Sequence, residues 1–480
     1  MSEKKTEPSV VEEAWRAFGK VRRGFYAELG TWPVTPTLPM EALPSLLAER
    51  FPFVVPRKAA ALVEEVGELL RDGTVHVTHP RYFGLFNPSV RPVSVIADAL
   101  AALYNPQLAA WSHAPAANEI ERHTLAYLLC KLGLDPVRGG GCFTTGGAEA
   151  NHSAVLLALA RACPKWRSSG LRALPASPRI YVSEEAHHSF DKIVVQAGLG
   201  EESLRKVPVD SLLRMIPQAL LDAIERDRAA GDLPLMVVGT AGTTGAGVLD
   251  LLPDLAAIAA AQGLWFHVDA AFGGYACLSA DLAGCLTGIE GADSITWDAH
   301  KGLSVPMGAG MFFCREREAM ARTFGLRTGY MPAGSEGALD PYASTIQWSR
   351  RCIGLKVFMA LAELGEDGTR AQVEHQFAMG LTLRRRLADA GWRIVNETPL
   401  PVVCFVRPSW TAEDPAVDAL VASLQKRGAV WISKVQLTHH GWALRACITS
   451  YHTQEHDLET LIQELEAVCA ATTRGIGPGG

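Results

Sequence analysis

Asp293-Ser294-Ile295-Thr296-Trp297-Asp298-Ala299-His300-Lys301-Gly302 begins as a short β-type apolar run and ends in polar residues. Its lysine follows a strand, and Leu303-Ser304-Val305-Pro306 after it predicts partial enclosure. Upstream, Asp269 stands at the end of a second such run, Trp265-Phe266-His267-Val268-Asp269. An acid at one strand end and an amine at a later one predict an α/β sheet that gathers its chemistry at the carboxyl ends of its strands.

Outward from this pair, strands alternate with helices. Arg179–Ser183, Leu235–Thr240, Leu264–Asp269, Ser294–Trp297 and Met311–Arg315 read as strands. Several are apolar throughout, as expected when helices cover both faces of a sheet. Pro217–Arg228 and Leu252–Gln262 read as helices between them. The alternation predicts a large α/β domain with a mainly parallel sheet over residues 96–365. Residues 1–95 read as a helical arm interrupted by Pro33, Pro36, Pro39 and Pro44. Gly365-Glu366-Asp367-Gly368 reads as a boundary, with a smaller α+β domain over 366–480.

The 480 residues are too many for one core. A composition of 48 % hydrophobic and 20 % charged residues is that of an ordinary globular enzyme. The net charge of −6, with no basic tract, argues against a nucleic-acid partner. Ten scattered cysteines without a C-x-x-C pair suggest neither a zinc ribbon nor a thioredoxin-type site, and fit a reducing compartment. The N-terminus lacks the apolar stretch of a signal peptide, and the apolar runs are too short and broken to span a bilayer, so a cytoplasmic location is expected. The histidines suggest no convincing metal ligand set, and no metal is expected.

Thr144-Thr145-Gly146-Gly147-Ala148-Glu149-Ala150-Asn151 joins a strand to the helix Ala148–Cys163. Its glycines let backbone N–H groups approach an anion, and the helix N-terminus adds a favourable dipole. No G-K-[ST] follows, so this is not a nucleotide P-loop. Taken singly, each feature has a plain structural reading. The glycine pair reads equally as a tight turn, Asp269 as a helix cap or an arginine's partner, and Lys301 as a solvated charge. His187 and His188, in Ala186-His187-His188-Ser189, read singly as a helix-start pair. Taken together they supply what pyridoxal 5'-phosphate (PLP) requires: a phosphate cradle, an amine for a Schiff base and a carboxylate for the pyridinium nitrogen.

These four motifs, in this order, resemble the group II PLP-dependent amino acid decarboxylases, the glutamate and aromatic-L-amino-acid decarboxylase family, over roughly Pro80–Asp457. The resemblance implies the aspartate-aminotransferase fold type I: a large domain with a mainly parallel seven-stranded sheet, an N-terminal helical arm and a small C-terminal α+β domain. It implies that Lys301 carries PLP, that Asp269 pairs with the ring nitrogen and that His187 stacks on the ring. Gly146, Gly147 and Ala148 would then cradle the phosphate, with His300 close to it. Thr244, in Ala241-Gly242-Thr243-Thr244-Gly245, matches a family threonine near the cofactor. Tyr330, in Leu326-Arg327-Thr328-Gly329-Tyr330, matches a loop tyrosine expected to act as proton donor. Lys301, His187 and Tyr330 are thus the catalytic expectations. Arg445, in Ala443-Leu444-Arg445, matches an arginine that contacts the substrate carboxylate in glutamate decarboxylases; a structural ion pair on a strand is its alternative.

The implied reaction converts an L-amino acid to its amine and CO₂. An aldehyde-forming oxidative enzyme or a carbon–carbon lyase on the same fold is the alternative, and Tyr330 argues against the former. A non-catalytic protein of this fold is expected to have lost the lysine, the acid or the histidine, and all three are present. His79-Pro80-Arg81-Tyr82-Phe83 resembles the glutamate decarboxylases, yet Gly84-Leu85-Phe86-Asn87 lacks their side-chain-binding glutamine. Asp340-Pro341-Tyr342 stands where the family has an arginine. Phe83, Leu85 and Phe86 are the remaining substrate-pocket expectations. The family also implies a homodimer with shared active sites.

Overall fold

The computed structural model describes residues 9–326, 328–329, 340–411 and 413–475. The chain divides into two compact units, residues 1–84, 415–433 and 452–480 forming the first and residues 85–414 and 434–451 the second.

The first unit joins the two ends of the chain. Its first helix, Val10–Glu28, starts at Ser9, whose Oγ accepts the Glu12 N–H at 3.2 Å, and Glu12 and Glu13 suit the positive end of the helix dipole. This helix packs on Ala59–Gly73, where Gly67 leaves room for Val21: a Cβ there would come within 3.0 Å of Val21 Cγ1. Tyr82–Phe83 pairs in parallel with Trp431–Ile432. A Cβ on Gly84 would fall 2.1 Å from Trp431 Cε3, so the tryptophan ring sits where only glycine leaves space.

The second unit is built on a seven-stranded sheet. Its strands are β1 (Gly140–Thr144), β2 (Pro178–Ser183), β3 (Leu204–Val207), β4 (Leu233–Thr240), β5 (Trp265–Asp269), β6 (Ser294–Asp298) and β7 (Gly310–Cys314). They lie in the order β1-β7-β6-β5-β4-β2-β3, and only β7 runs antiparallel to its neighbours. The link 299–309 carries only the short turn Ala299–Gly302 and no crossover helix, and β7 returns antiparallel.

Successive side chains of each strand serve opposite layers. Ile180, Val182, Met236, Val238 and Trp265 pack under helix α1 (Gly147–Ala162), against Ala150, Ala154 and Ala158. Tyr181, Val237, Phe266, Val268 and Ile295 belong to the core on the opposite face. This double coverage is why these strands read as continuous apolar runs.

Two sequence expectations change. Strand β3 was not foreseen: Leu204-Arg205-Lys206-Val207 carries two cations, acceptable because it is the sheet's edge. Its Arg205 binds Asp227 at 2.8 Å. Residues 349–364 read as one helix in the sequence, but that helix starts at Gly354. At Gly365, φ +62° and ψ −173°, the boundary expected there, non-helical backbone separates it from a second helix that runs to Asp389. Beyond it, Arg393–Ile394, Val402–Val406 and Gly441–Cys447 form antiparallel pairs. Among the described residues, no helix is long and apolar enough to cross a membrane.

Candidate active site

Strands β4, β5 and β6 end side by side. Thr240 is in register with Asp269, and Asp269 with Thr296, so Thr240, Asp269 and Asp298 emerge along one carboxyl edge of the sheet. His187 follows the end of β2, and Lys301 lies in the helical turn Ala299–Gly302 directly after β6. A cavity at this edge is lined by His187, Thr240, Thr244, Asp269, Asp298 and Lys301, with Gly147, Ala148 and Asn151 from α1 and with Phe86 and Phe272.

The turn into α1 closes one side of the cavity. Gly310 lets β7 pass under it, because a Cβ there would lie 2.6 Å from Gly146 Cα. Thr145 donates both its N–H and its hydroxyl to the Glu149 carboxylate, at 2.9 and 2.8 Å, which fixes the first turn of the helix. The Gly146 carbonyl takes the Glu149 N–H at 3.1 Å, while the N–H groups of Gly147 and Ala148 precede any intrahelical acceptor, so this end offers donors and a positive dipole end to an anion. His300 is buried beneath the turn, where its Nδ1 accepts the Ala309 N–H at 3.2 Å. Burial holds its imidazole pKa below the ordinary value, with Asp298 opposing. Gly146 and His300 thus support the turn without lining the cavity.

Asp269 is 5 % exposed and firmly held. Its Oδ2 accepts from Asn151 Nδ2 at 2.9 Å and its Oδ1 from the Ala271 N–H at 3.1 Å. Lys301 Nζ lies 3.2 Å from Asp298 Oδ2 and 5.4 Å from the centre of the Phe86 ring. The His187 Nδ1 accepts the Ser189 N–H at 3.1 Å, which leaves the proton of the neutral ring on Nε2. Burial lowers the His187 pKa, against an opposing pull from Asp269.

The substrate-pocket expectations fare differently. Phe86 lines the cavity and stacks on Phe272 with centroids 3.9 Å apart. Arg445 is buried, donates its Nε–H to the Gly245 carbonyl at 2.9 Å, and sets its guanidinium 4.7 Å from the same Phe86 ring. Phe83 does not line this cavity: it is a buried position of the first unit, on the strand paired with Trp431–Ile432. Leu85 is 51 % exposed and also lies off the cavity lining. Tyr330 falls outside the described residues. Sequence reasoning assigned no role to Asn151, Thr240, Phe272 or Asp298. Asn151 was quoted in the glycine motif and Asp298 beside the lysine, but only the register of the strands turns them into the cavity.

The donor set suits PLP. A phosphate meets helix N–H groups, a basic ring nitrogen meets a fixed carboxylate, and an aldehyde meets an amine. Two buried polar atoms of the lining, Thr240 Oγ1 and Asp298 Oδ1, lack a protein partner and are left for a polar occupant.

Comparison with known proteins agrees. The pyridoxal-dependent decarboxylase conserved domain matches residues 44–407. The aromatic-L-amino-acid decarboxylase of Bacillus atrophaeus is 28 % identical over 402 residues, 82 % of each chain. The cysteine sulfinic acid decarboxylase of Mus musculus is 29 % identical over 410 residues, covering 82 % of this chain and 83 % of that one. The crystal structure of mouse CSAD in apo form superposes with a TM-score of 0.89 at 26 % identity, covering 96 % of this chain and 99 % of the other. With its glycine turn, strand-end acid and enclosed lysine on one sheet edge, the chain belongs to the PLP-dependent amino acid decarboxylases of fold type I.

Proposed function

We propose that Lys301, Asp269, His187 and Tyr330 divide the work of removing the α-carboxylate of an L-amino acid as CO₂ and returning the amine. The convergence of Lys301, Asp269, His187 and the Gly147-Ala148 turn on one cavity carries this reading. When bound, PLP supplies an aldehyde for the substrate amine and a protonated ring that accepts the electron pair released with CO₂. The Gly147-Ala148 turn would hold the phosphate, with Thr244 beside it. Asp269 would pair with the ring nitrogen and favour its protonated form. His187 would cover the ring face. Lys301 would be the covalent anchor, and Asp298, 3.2 Å from its Nζ, would hold the free amine in its charged form. Arg445 and the aromatic wall of Phe86 orient the substrate so that the bond to be broken is the one to the carboxylate. Tyr330 gives its hydroxyl proton to the α-carbon once CO₂ has left.

Relatives named for aromatic and for sulfinic acid substrates match this chain about equally, so the side chain is best found by assay. A panel of L-amino acids scored for CO₂ release tests the reaction, with one amine product expected. Tyr330→Phe is expected to bind PLP as the wild type does and to lose amine formation by about 10²–10⁴-fold. Unchanged amine formation in that variant removes Tyr330 from the scheme.

We also read the chain as a cytoplasmic homodimer with an N-terminal arm over 1–95, a large domain over 96–365 and a small domain over 366–480. Ten scattered cysteines without a C-x-x-C pair support a reducing compartment. The exposed apolar side chains of the first helix, among them Trp15 at 57 % and Phe18 at 40 %, support a partner surface. Light scattering on the active enzyme is expected to give twice the chain mass; an active monomer rejects the dimer.

A further inference from the structure

Five buried side chains run away from the cavity in single file beneath α1. Asp269, Asn151, His267, Ser294 and Trp265 are each 5 % exposed or less. Trp265, His267 and Asp269 alternate along β5 and so share its α1 face. Ser294 on β6 is the registered neighbour of His267. We infer that Trp265, Ser294, His267 and Asn151 form a one-way chain of hydrogen bonds that aims the Asp269 carboxylate at the cofactor ring, and that Asn151 and His267 are positioning residues of this enzyme.

The direction follows from what each group is able to donate. A carboxylate only accepts, so Asn151 presents its NH₂ to Asp269 Oδ2, at 2.9 Å. The same nitrogen lies 3.2 Å from Ser189 Oγ. The Asn151 carbonyl is thereby turned to His267 Nε2, at 3.0 Å, and that nitrogen carries the proton. His267 is neutral at working pH, because burial pushes its pKa down to about 4. Its Nδ1 is therefore an acceptor, and the Ser294 hydroxyl at 2.9 Å donates to it. The Ser294 oxygen in turn receives the Trp265 indole N–H at 2.8 Å, a group that only donates.

The file thus begins at a group that only donates and ends at one that only accepts. No bond within it reverses without another breaking. A proton on His267 Nδ1 would set two bare acceptors, Nε2 and Asn151 Oδ1, against each other. Rotating the amide to relieve them would turn its oxygen on Asp269. The tautomer of a histidine with no part in the cavity lining therefore sets the direction of the carboxylate that lines it. An apolar filling would pack this layer without the desolvation of five polar groups.

This inference rests on the reading of Asp269 as partner of the ring nitrogen, and the test separates the two. The full chain is stripped of cofactor and reconstituted with PLP, or with a PLP analogue whose ring nitrogen is replaced by C–H and whose aldehyde and phosphate are intact. The wild type is expected to bind PLP more tightly than the analogue, and the ratio of the two affinities is the readout. Asn151→Leu and His267→Phe are each expected to reduce that ratio about tenfold, the scale of a lost hydrogen bond to a charge. His267→Gln, which again offers an N–H to the Asn151 carbonyl, is expected to stay within about threefold of the wild type. Ser294→Ala is the small truncation should the larger changes fail to fold, and a drop of about threefold or more is expected. If the variants lose affinity for both ligands equally, these residues merely fill the core and the relay is wrong. A wild type without any preference overturns the Asp269 reading and the relay with it. A wild type that prefers PLP, beside variants that prefer it as strongly, overturns the relay alone.

Discussion

Lys301 Nζ has neighbours of two kinds, the carboxylate of Asp298 at 3.2 Å and the face of Phe86 at 5.4 Å. The first holds the ammonium in place before the cofactor arrives, and the second excludes water from one side. A surface lysine has neither, so this environment distinguishes an anchor from a solvated charge. Lys301→Ala is expected to leave no covalent PLP adduct after borohydride reduction, as read by intact mass, and to reduce CO₂ release by at least about 10²–10⁴-fold. A reduced adduct of normal yield in that variant means that another amine is the anchor. Asp269 is set apart in a similar way. Donors on both of its oxygens, from Asn151 and Ala271, leave it no rotational freedom.

The turn Ala299–Gly302 carries Lys301, and its own position depends on a contact of a different kind. Gly302 lies flat on Tyr275: a Cβ there would come 2.3 Å from Tyr275 Cγ, and that ring, 1 % exposed, has no room to retreat. Gly302→Ala is therefore expected to cost about 1–3 kcal/mol of stability and to weaken PLP binding, because the turn must lift with its lysine. Gly284→Ala, with open space at the Cβ position, is the control and is expected within about 0.5 kcal/mol of wild type. Thermal melts and PLP titration of both variants check this, and equal behaviour of the two rejects the argument. The strand ends that hold Asp269 and Lys301 were legible in the sequence because apolar runs covered on both faces stop abruptly at polar residues. Asn151, Thr240 and Asp298 were not legible in their roles. Which strand ends meet depends on register, and register is a long-range property. Nothing local in Tyr82-Phe83-Gly84-Leu85-Phe86 says that Phe83 belongs to the first unit and Phe86 to the second. The break at Gly365 was legible because a glycine between two helical runs marks a place where a left-handed φ, here +62°, ends one helix before another begins.

Across the second unit, two buried groups shape stability against pH in opposite senses. Burial pushes His267 from 6.5 down to about 4 and Asp250 from 3.8 up to about 6. Asp250 keeps two donors even so, the N–H groups of Met215 at 2.7 Å and Thr240 at 2.8 Å. Above pH 6.5 the imidazole is neutral in both folded and unfolded chains and adds no pH dependence. As pH falls from there to about 4, the unfolded chain takes up a proton that the folded His267 refuses, so stability falls. The carboxyl works the other way. Between 3.8 and about 6 the folded chain keeps a proton on Asp250 that the unfolded chain has released, so its contribution is fullest in acid and declines as pH rises. The two slopes overlap and largely cancel between about pH 4 and 6. His267→Gln removes one of them. Relative to wild type, this variant is expected to gain on the order of 3 kcal/mol between pH 7 and pH 4. Urea unfolding of both proteins without cofactor, at one protein concentration and several pH values, measures that difference directly, and every other titrating group drops out of it. A difference that stays constant from pH 7 to pH 4 would mean that His267 titrates alike in the folded and unfolded chains, and so that water reaches the layer beneath α1.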